Sequence, residues 1–209
     1  MLKKIDLRKD LKVLYQPSAK EVEFVKVPKF SYLMIDGEGD PNNSKSFQEA
    51  TQALYTLAYT LKFMIKKEKK VEYPVMTLEG LWWVEGMKGF DMENRSAWMW
   101  TLMILQPGVV TKALMKKAVK QAMEKKGLTA LASIRLEPYV EGLSVQIMHI
   151  GPYAEEGPTI QKLHAAARER GCELRGKHHE IYFGDPRKTK PEKMRTVIRQ
   201  PILRPSAQS

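Results

Sequence analysis

Cysteine is nearly absent from this chain. Cys172 stands alone among 209 residues, which excludes a disulfide framework and a thiolate metal cage and makes a reducing, cytoplasmic setting the expectation. Long apolar runs are missing as well. The longest, around "AWMWTLMIL", falls far short of a bilayer's width. The opening "MLKKIDLRKDLKVLY" is basic but has no apolar stretch of the kind a secretion signal needs. No membrane partner is therefore expected. The familiar cofactor fingerprints are also lacking: there is no P-loop and no G-x-S-x-G, and "DGEGD" has the spacing of a turn. His178 and His179 are adjacent, so on a strand they diverge, while His149 and His164 lack metal-site spacing. Neither a metal nor a cofactor is expected. Acidic charge is scarce beside basic charge, leaving a formal net charge of +11. The Lys and Arg residues gather in "KKEKK", "KKAVKQAMEKK" and "RKTKPEKMRTVIR", the first two at a helix end and on a helix face. No helix-turn-helix, zinc finger or aromatic RNA-binding motif accompanies them, which argues against nucleic acid as a partner.

With 43% hydrophobic and 28% charged residues, the composition suits one large domain or two small, closely packed units. The first twenty residues read as a polar lead-in ending near Pro17. "EVEFVKVPKFSYLMIDGEG" reads as extended structure, interrupted at Pro28. The clearest helix follows, with Ser46 and Glu49 at capping-box spacing and an apolar stripe of Phe47, Ala50, Leu54, Leu57, Ala58, Leu61 and Ile65. "TLEGLWWVEG" and "SAWMWTLMILQPG" form a strand hairpin around a polar, Gly-containing loop. A second helix runs from its cap Thr111 to Gly127. "LASIRLEPY" and "GLSVQIMHIGPY" read as strands joined by a turn at Glu141-Gly142. A third helix is entered through Pro158 and left at Gly171, and "HHEIYFGDP" and "MRTVIRQPI" complete the chain. Each half thus reads as strand, Gly turn, helix and hairpin. The expectation is an α+β fold of tandem strand–helix–strand–strand units, with residues 1–20 as lead-in and 21–209 as one domain. Its pseudo-repeats fall at about 21–126 and 131–203, with a ligand cleft between the units.

Strand alternation places His178, Glu180 and Tyr182 on one face of "HHEIYF" and His179, Ile181 and Phe183 on the other. The second face, being largely apolar, is expected to pack on helices. A lone strand Glu is ordinarily solvated. Four Trp in one short region (Trp82, Trp83, Trp98, Trp100), with Tyr55 and Tyr59 on the long helix and Tyr139 and Tyr153 at strand ends, exceed what packing alone uses. An aromatic-walled cleft with one carboxylate suits flat aromatic or cationic ligands.

"YPVMTLEGLWW", "IMHIGPY", "HHEIYFGDPRKTKPEKMRTVIRQPI" and the helix "EATQALYTLAY" resemble stand-alone members of the GyrI-like small-molecule-binding family. The resemblance covers nearly the whole chain after the lead-in and implies the same tandem fold. Relatives that serve as effector domains of multidrug-responsive regulators place a Glu in an aromatic pocket for cationic drugs, and by motif that Glu is Glu180. Other relatives are cyclopropanoid cyclopropyl hydrolases, which open the strained ring of DNA-alkylating antibiotics; relatives that act on DNA gyrase make a protein-partner inhibitor a third function. Within the chemistry the resemblance implies, Glu180 is the candidate base and Tyr55 and Tyr182 are the candidate hydroxyl donors. Trp83 and Trp100 are candidate walls, with the choice between Trp82 and Trp83 and between Trp98 and Trp100 open, and Tyr139, Tyr182 and His149 are further ligand-binding candidates.

Overall fold

The computed structural model describes residues 2–86, 95–185 and 187–204. The chain begins with β1 (Lys3–Lys4) and two single-turn helices, α1 (Leu7–Asp10) and α2 (Lys12–Tyr15). The first unit comprises β2 (Glu23–Glu38), α3 (Lys45–Lys69), β4 (Glu79–Val84) and β5 (Trp98–Gln106), with the short β3 (Val71–Glu72) after its helix. After α4 (Lys112–Lys126), the second unit comprises β6 (Arg135–Ile150), α5 (Gly157–Glu169), β8 (His178–Phe183) and β9 (Arg195–Leu203), with the short β7 (Glu173–Leu174). This is the tandem strand–helix–strand–strand arrangement of an α+β fold. The Gly-containing loop expected between the Trp-rich strands lies largely outside the described residues.

Six strands close into an antiparallel ring in the order β6-β2-β5-β4-β8-β9, with β9 pairing back to β6. Closure removes the exposed edges that would otherwise invite pairing with another chain. Helix α3 lies over β2 and β5, and α5 over β6 and β9, all on the outside of the ring. The expected stripe of α3 supplies this packing: Ala50, Leu54, Leu57, Ala58, Leu61 and Ile65 are buried, with Phe47 at its edge.

Five local expectations change. Ser44, not Ser46, caps α3, its side chain accepting from Phe47 N at 3.1 Å; Ser46 already lies within the first turn. Pro28 does not end its strand, nor do Glu141 and Gly142 form a turn. Strands β2 and β6 each run 16 residues and stay paired across this point, from Val27↔Gly142 to Lys29↔Val140. Proline forfeits one ladder hydrogen bond, and Gly142 takes φ 78°, a conformation that suits glycine, so the ladder bends and continues. The face of β8 bearing His179 and Ile181 packs inside the ring, and the Glu180 face carries the helices. The lead-in, finally, is not merely polar, since Leu14 and Tyr15 are buried in the core.

The inside of the ring explains that last point. Tyr15 Oη donates to Glu79 Oε1 (2.5 Å), and Glu79 Oε2 lies 3.0 Å from His179 Nε2. His179 Nδ1 lies 3.0 Å from Glu141 Oε1, and Glu141 Oε2 accepts from Arg199 Nη1 at 3.0 Å. Arg199 also donates to Gln146 Oε1 and to the Leu14 carbonyl, and Gln146 donates to the Val13 carbonyl. Both imidazole nitrogens of His179 face carboxylates, and a neutral ring can donate only once, so the doubly protonated form is the one that satisfies both. Burial opposes that charge, but Glu141 and Glu79 outweigh it and push His179 up to about 9. Burial likewise opposes ionisation of Glu141, yet His179 and Arg199 hold it at about 2. Charged His179, Glu141 and Arg199 are thus linked with Glu79 in one buried hydrogen-bonded network, joining the lead-in to β4, β6, β8 and β9.

Candidate functional site

The two units meet along two seams, the long pairing of β2 with β6 and the pairing of β4 with β8, and the second carries the candidate residues. Residues directly opposite across an antiparallel pair share a face. Gly80 lies across from Glu180, Trp82 from His178, and Trp100 of β5 from Trp82. On β9, Thr196 lies across from Tyr182. These residues occupy the outer face of the ring, between the N-terminal ends of α3 and α5.

Glu180 is only 8% exposed, so its carboxylate needs partners. Tyr182 Oη donates to Oε2 at 2.7 Å and itself accepts from Trp82 Nε1 at 2.9 Å. His178 Nε2 lies 3.1 Å from Oε1, and since an ionised carboxylate only accepts, Nε2 carries the hydrogen. Burial alone would push Glu180 up; the hydrogen bond and charge of His178, with the Tyr182 hydroxyl, hold it below the usual carboxylate range instead. Gly80 makes the geometry feasible. A Cβ there would stand 2.7 Å from Trp82 Nε1 and 2.9 Å from Tyr182 Oη, so the bare backbone lets both groups converge over the strand.

Aromatic rings enclose this carboxylate. Phe47 of α3 stacks on Trp82 at 6.0 Å and meets Trp100 edge-on at 5.3 Å. Trp98 abuts Trp82 edge-on at 5.4 Å, and Tyr153 abuts Tyr182 at 5.5 Å. Trp100 lies over Gly37, where an added Cβ would occupy the ring's own place. Tyr55 accepts a hydrogen bond from Leu78 N at 3.2 Å, next to the point where Tyr182 N donates to Leu78 O.

The residue that sequence reading missed is Glu156. It holds the N-cap position of α5 but makes no side-chain capping bond, its carboxyl turning instead into the buried space beside Glu180. It is 2% exposed. Burial first, and the neighbouring Glu180 charge second, push it up to about 10. Burial and the neighbouring charge thus favour the protonated form of Glu156, while His178 and Tyr182 favour the ionised form of Glu180. An acidic residue just before "GP" at a helix start reads as an ordinary dipole-favoured cap, which is why the sequence concealed it.

The expected site residues divide accordingly. Glu180, Tyr182 and Trp100 lie on the outer face with Tyr55 close by, and of the open Trp alternatives Trp82 shares the face of Glu180. Trp83 does not: alternation turns it to the other face, where Lys177 Nζ sits 3.2 Å from its ring centroid. Tyr139 packs edge-on against Tyr32 at 6.4 Å, away from Glu180. His149 lies across from Thr196 and ties the start of α5 in place through Thr159 and the Pro152 carbonyl, at 2.9 and 3.3 Å. Among the described residues no cluster of His, Cys, Asp and Glu is arranged to hold a metal ion, and no helix is long and apolar enough to cross a membrane.

An uncharacterized conserved protein from Listeria innocua is 39% identical, with a TM-score of 0.88, over 95% of this chain and 100% of its own. A hydrolase from the same organism is 38% identical, with a TM-score of 0.86, over 96% and 100%. The EcmrR C-terminal domain shares the fold at 11% identity, with a TM-score of 0.54 over 88% and 98%. No curated protein matches the chain. Residues 20–203 match the GyrI-like small molecule binding domain, and the chain belongs to that family.

Proposed function

We propose that this protein binds flat aromatic cations at the outer face beside Glu180, with Glu180 as counter-charge and Trp82, Trp98, Phe47 and Tyr153 as the surrounding rings. The observation that carries this reading is the buried carboxylate of Glu180, kept ionised by His178 and Tyr182 and ringed by aromatics. Such a site offsets the desolvation of a cation with a fixed charge and π-faces.

A second reading has its own support, the pairing of a neutral Glu156 with an ionised Glu180. Within it, the site hydrolyses ring-strained electrophiles such as cyclopropanes conjugated to a carbonyl. Glu180 takes a proton from water as the water oxygen bonds to a cyclopropane carbon. The breaking C–C bond sends its electron pair into the conjugated carbonyl, which receives a proton from Glu156 or Tyr55. The Listeria innocua neighbour described as a hydrolase, at 38% identity, is consistent with this chemistry. One experiment separates the readings: wild type and Glu180→Gln are incubated with a cyclopropane-bearing alkylator, and ring-opened product is followed by mass spectrometry. Product from wild type alone supports the hydrolase; binding without turnover in either protein leaves the binding reading and sinks the hydrolytic one.

A further inference from the structure

Glu156 and Glu180 are both buried, and their carboxyl groups are hydrogen-bonded to each other. A bond between two carboxyls requires a proton, because an ionised carboxylate only accepts. The pair therefore holds one proton and one negative charge. His178 Nε2 and Tyr182 Oη both reach Glu180 and fix the charge there, which leaves the proton on Glu156. The other partner of Glu156 is the Thr196 hydroxyl on β9. Further titratable groups nearby are Tyr153 ahead of α5, Tyr182 and His178 on β8, and His149 and Glu155 beside Gly151. Burial and the two carboxyls push both phenols up, so they keep their protons between pH 6 and 9.

The partners of Glu156 are thus a carboxylate and a hydroxyl, neither of them a cation. A cation seated beside Glu180 changes that balance. At about 4 Å, a unit positive charge favours the ionised form of a carboxyl by roughly a thousandfold at the effective dielectric of protein sites. Burial and Glu180 push Glu156 up to about 10 in the free protein, and a change of that size brings its titration close to neutrality. Resting on the cation-binding reading above, we infer that Glu156 is the second counter-charge of this site, releasing its proton to solvent as an aromatic cation enters. The O–H bond of the carboxyl breaks, its electron pair stays on the carboxylate, and the proton passes to buffer. A ligand whose charge does not titrate, such as a quaternary ammonium, is then bound more tightly as the pH rises. This use of the proton is separate from the acid role of Glu156 in the hydrolytic reading.

The probe for the test is N,N,N-trimethyl-1-naphthylmethylammonium, whose charge is independent of pH. Wild type is titrated by calorimetry at pH 8 in phosphate and in Tris, which differ in ionisation enthalpy, so the difference in heat counts the protons released. About half a proton or more per bound cation is expected, with affinity rising about tenfold or more from pH 6 to pH 9. Glu156→Gln has no carboxyl proton to release. Its heats are expected to agree between buffers and its affinity to stay within about twofold over the same range. Thr196→Val leaves Glu156 in place but removes a hydroxyl that favours its ionised form, so the rise in affinity should move to higher pH. Thermal melting shows whether each variant is folded. Binding by wild type without proton release overturns the inference. So does release that persists in folded Glu156→Gln, because the proton then comes from another group. If the probe fails to bind wild type at any pH, the cation-binding reading fails and this inference with it, a result distinct from binding without release.

Discussion

Replacing His179 with glutamine tests the electrostatics inside the ring. His179 is completely buried between Glu79 and Glu141, each 3.0 Å away. Removing its charge leaves two carboxylates facing a neutral amide, and breaking a buried pair in this way costs about 3–5 kcal/mol. In a chain of this size that lowers the melting temperature by about 6–20 °C. The pH dependence is the sharper signature. His179 is pushed up to about 9 in the folded protein, against about 6.5 when unfolded. Its folded value is the higher one, so its contribution is fully present below about pH 6.5 and is lost as the pH rises through about 9. That loss amounts to about 3 kcal/mol. Urea unfolding of wild type and His179→Gln at pH 6, 7.5 and 9.5 should therefore show a large gap at pH 6 that shrinks by about 3 kcal/mol at pH 9.5. Titrating groups remote from His179 contribute to both proteins and cancel in the difference. Parallel stability curves, with a gap that does not change with pH, would refute the charged state assigned to His179.

Two further outcomes follow from the outer face. Gly80→Ala should fold but displace Trp82 or Tyr182, since its Cβ would stand 2.7 Å from Trp82 Nε1. A stability loss of about 1–3 kcal/mol from overpacking and a shifted tryptophan emission are expected, and unchanged emission and affinity would count against the Trp82–Tyr182–Glu180 chain. Glu156→Gln replaces a carboxyl held neutral by a neutral amide. Because burial and Glu180 raise Glu156, the wild type loses its contribution as pH climbs above the unfolded value near 4.5, so the variant should gain relative stability from pH 5 to pH 8 by thermal melting; a constant difference over that range would show Glu156 to be ionised.

Much of this was legible in the letters. The α3 stripe, the Thr111 cap and Gly127 stop of α4, and the doubled element order follow from periodicity and local turn chemistry, which act over a few residues. The alternation of β8 put Glu180 and Tyr182 on one face, and that held. What alternation could not say is which face turns inward, because in a closed ring both faces of a strand are covered. His179 counted as apolar company for Ile181 on the sequence, whereas its partners Glu79 and Glu141 lie 100 and 38 residues away. The same distance in sequence hid Tyr15, whose role depends on a carboxylate 64 residues on. Glu156 was hidden for the opposite reason: its local context explains a surface cap so well that nothing prompts a second use.

The hydrogen bond from Arg199 to the Leu14 carbonyl spans 185 positions, and it sets a schedule for the chain as it is made. The ring closes only when β9 has paired with both β6 and β8, and β9 also carries the cation that neutralises Glu141. Until residue 199 has emerged, Glu141 lacks its Arg199 partner and the Leu14 carbonyl lacks its donor. The first buried segment is therefore among the last to be locked in place. Contacts so distant in sequence make for slow closure, and a truncation anywhere in β9 should leave a chain with open strand edges and unpaired charge, a form fit for capture by chaperones or proteases.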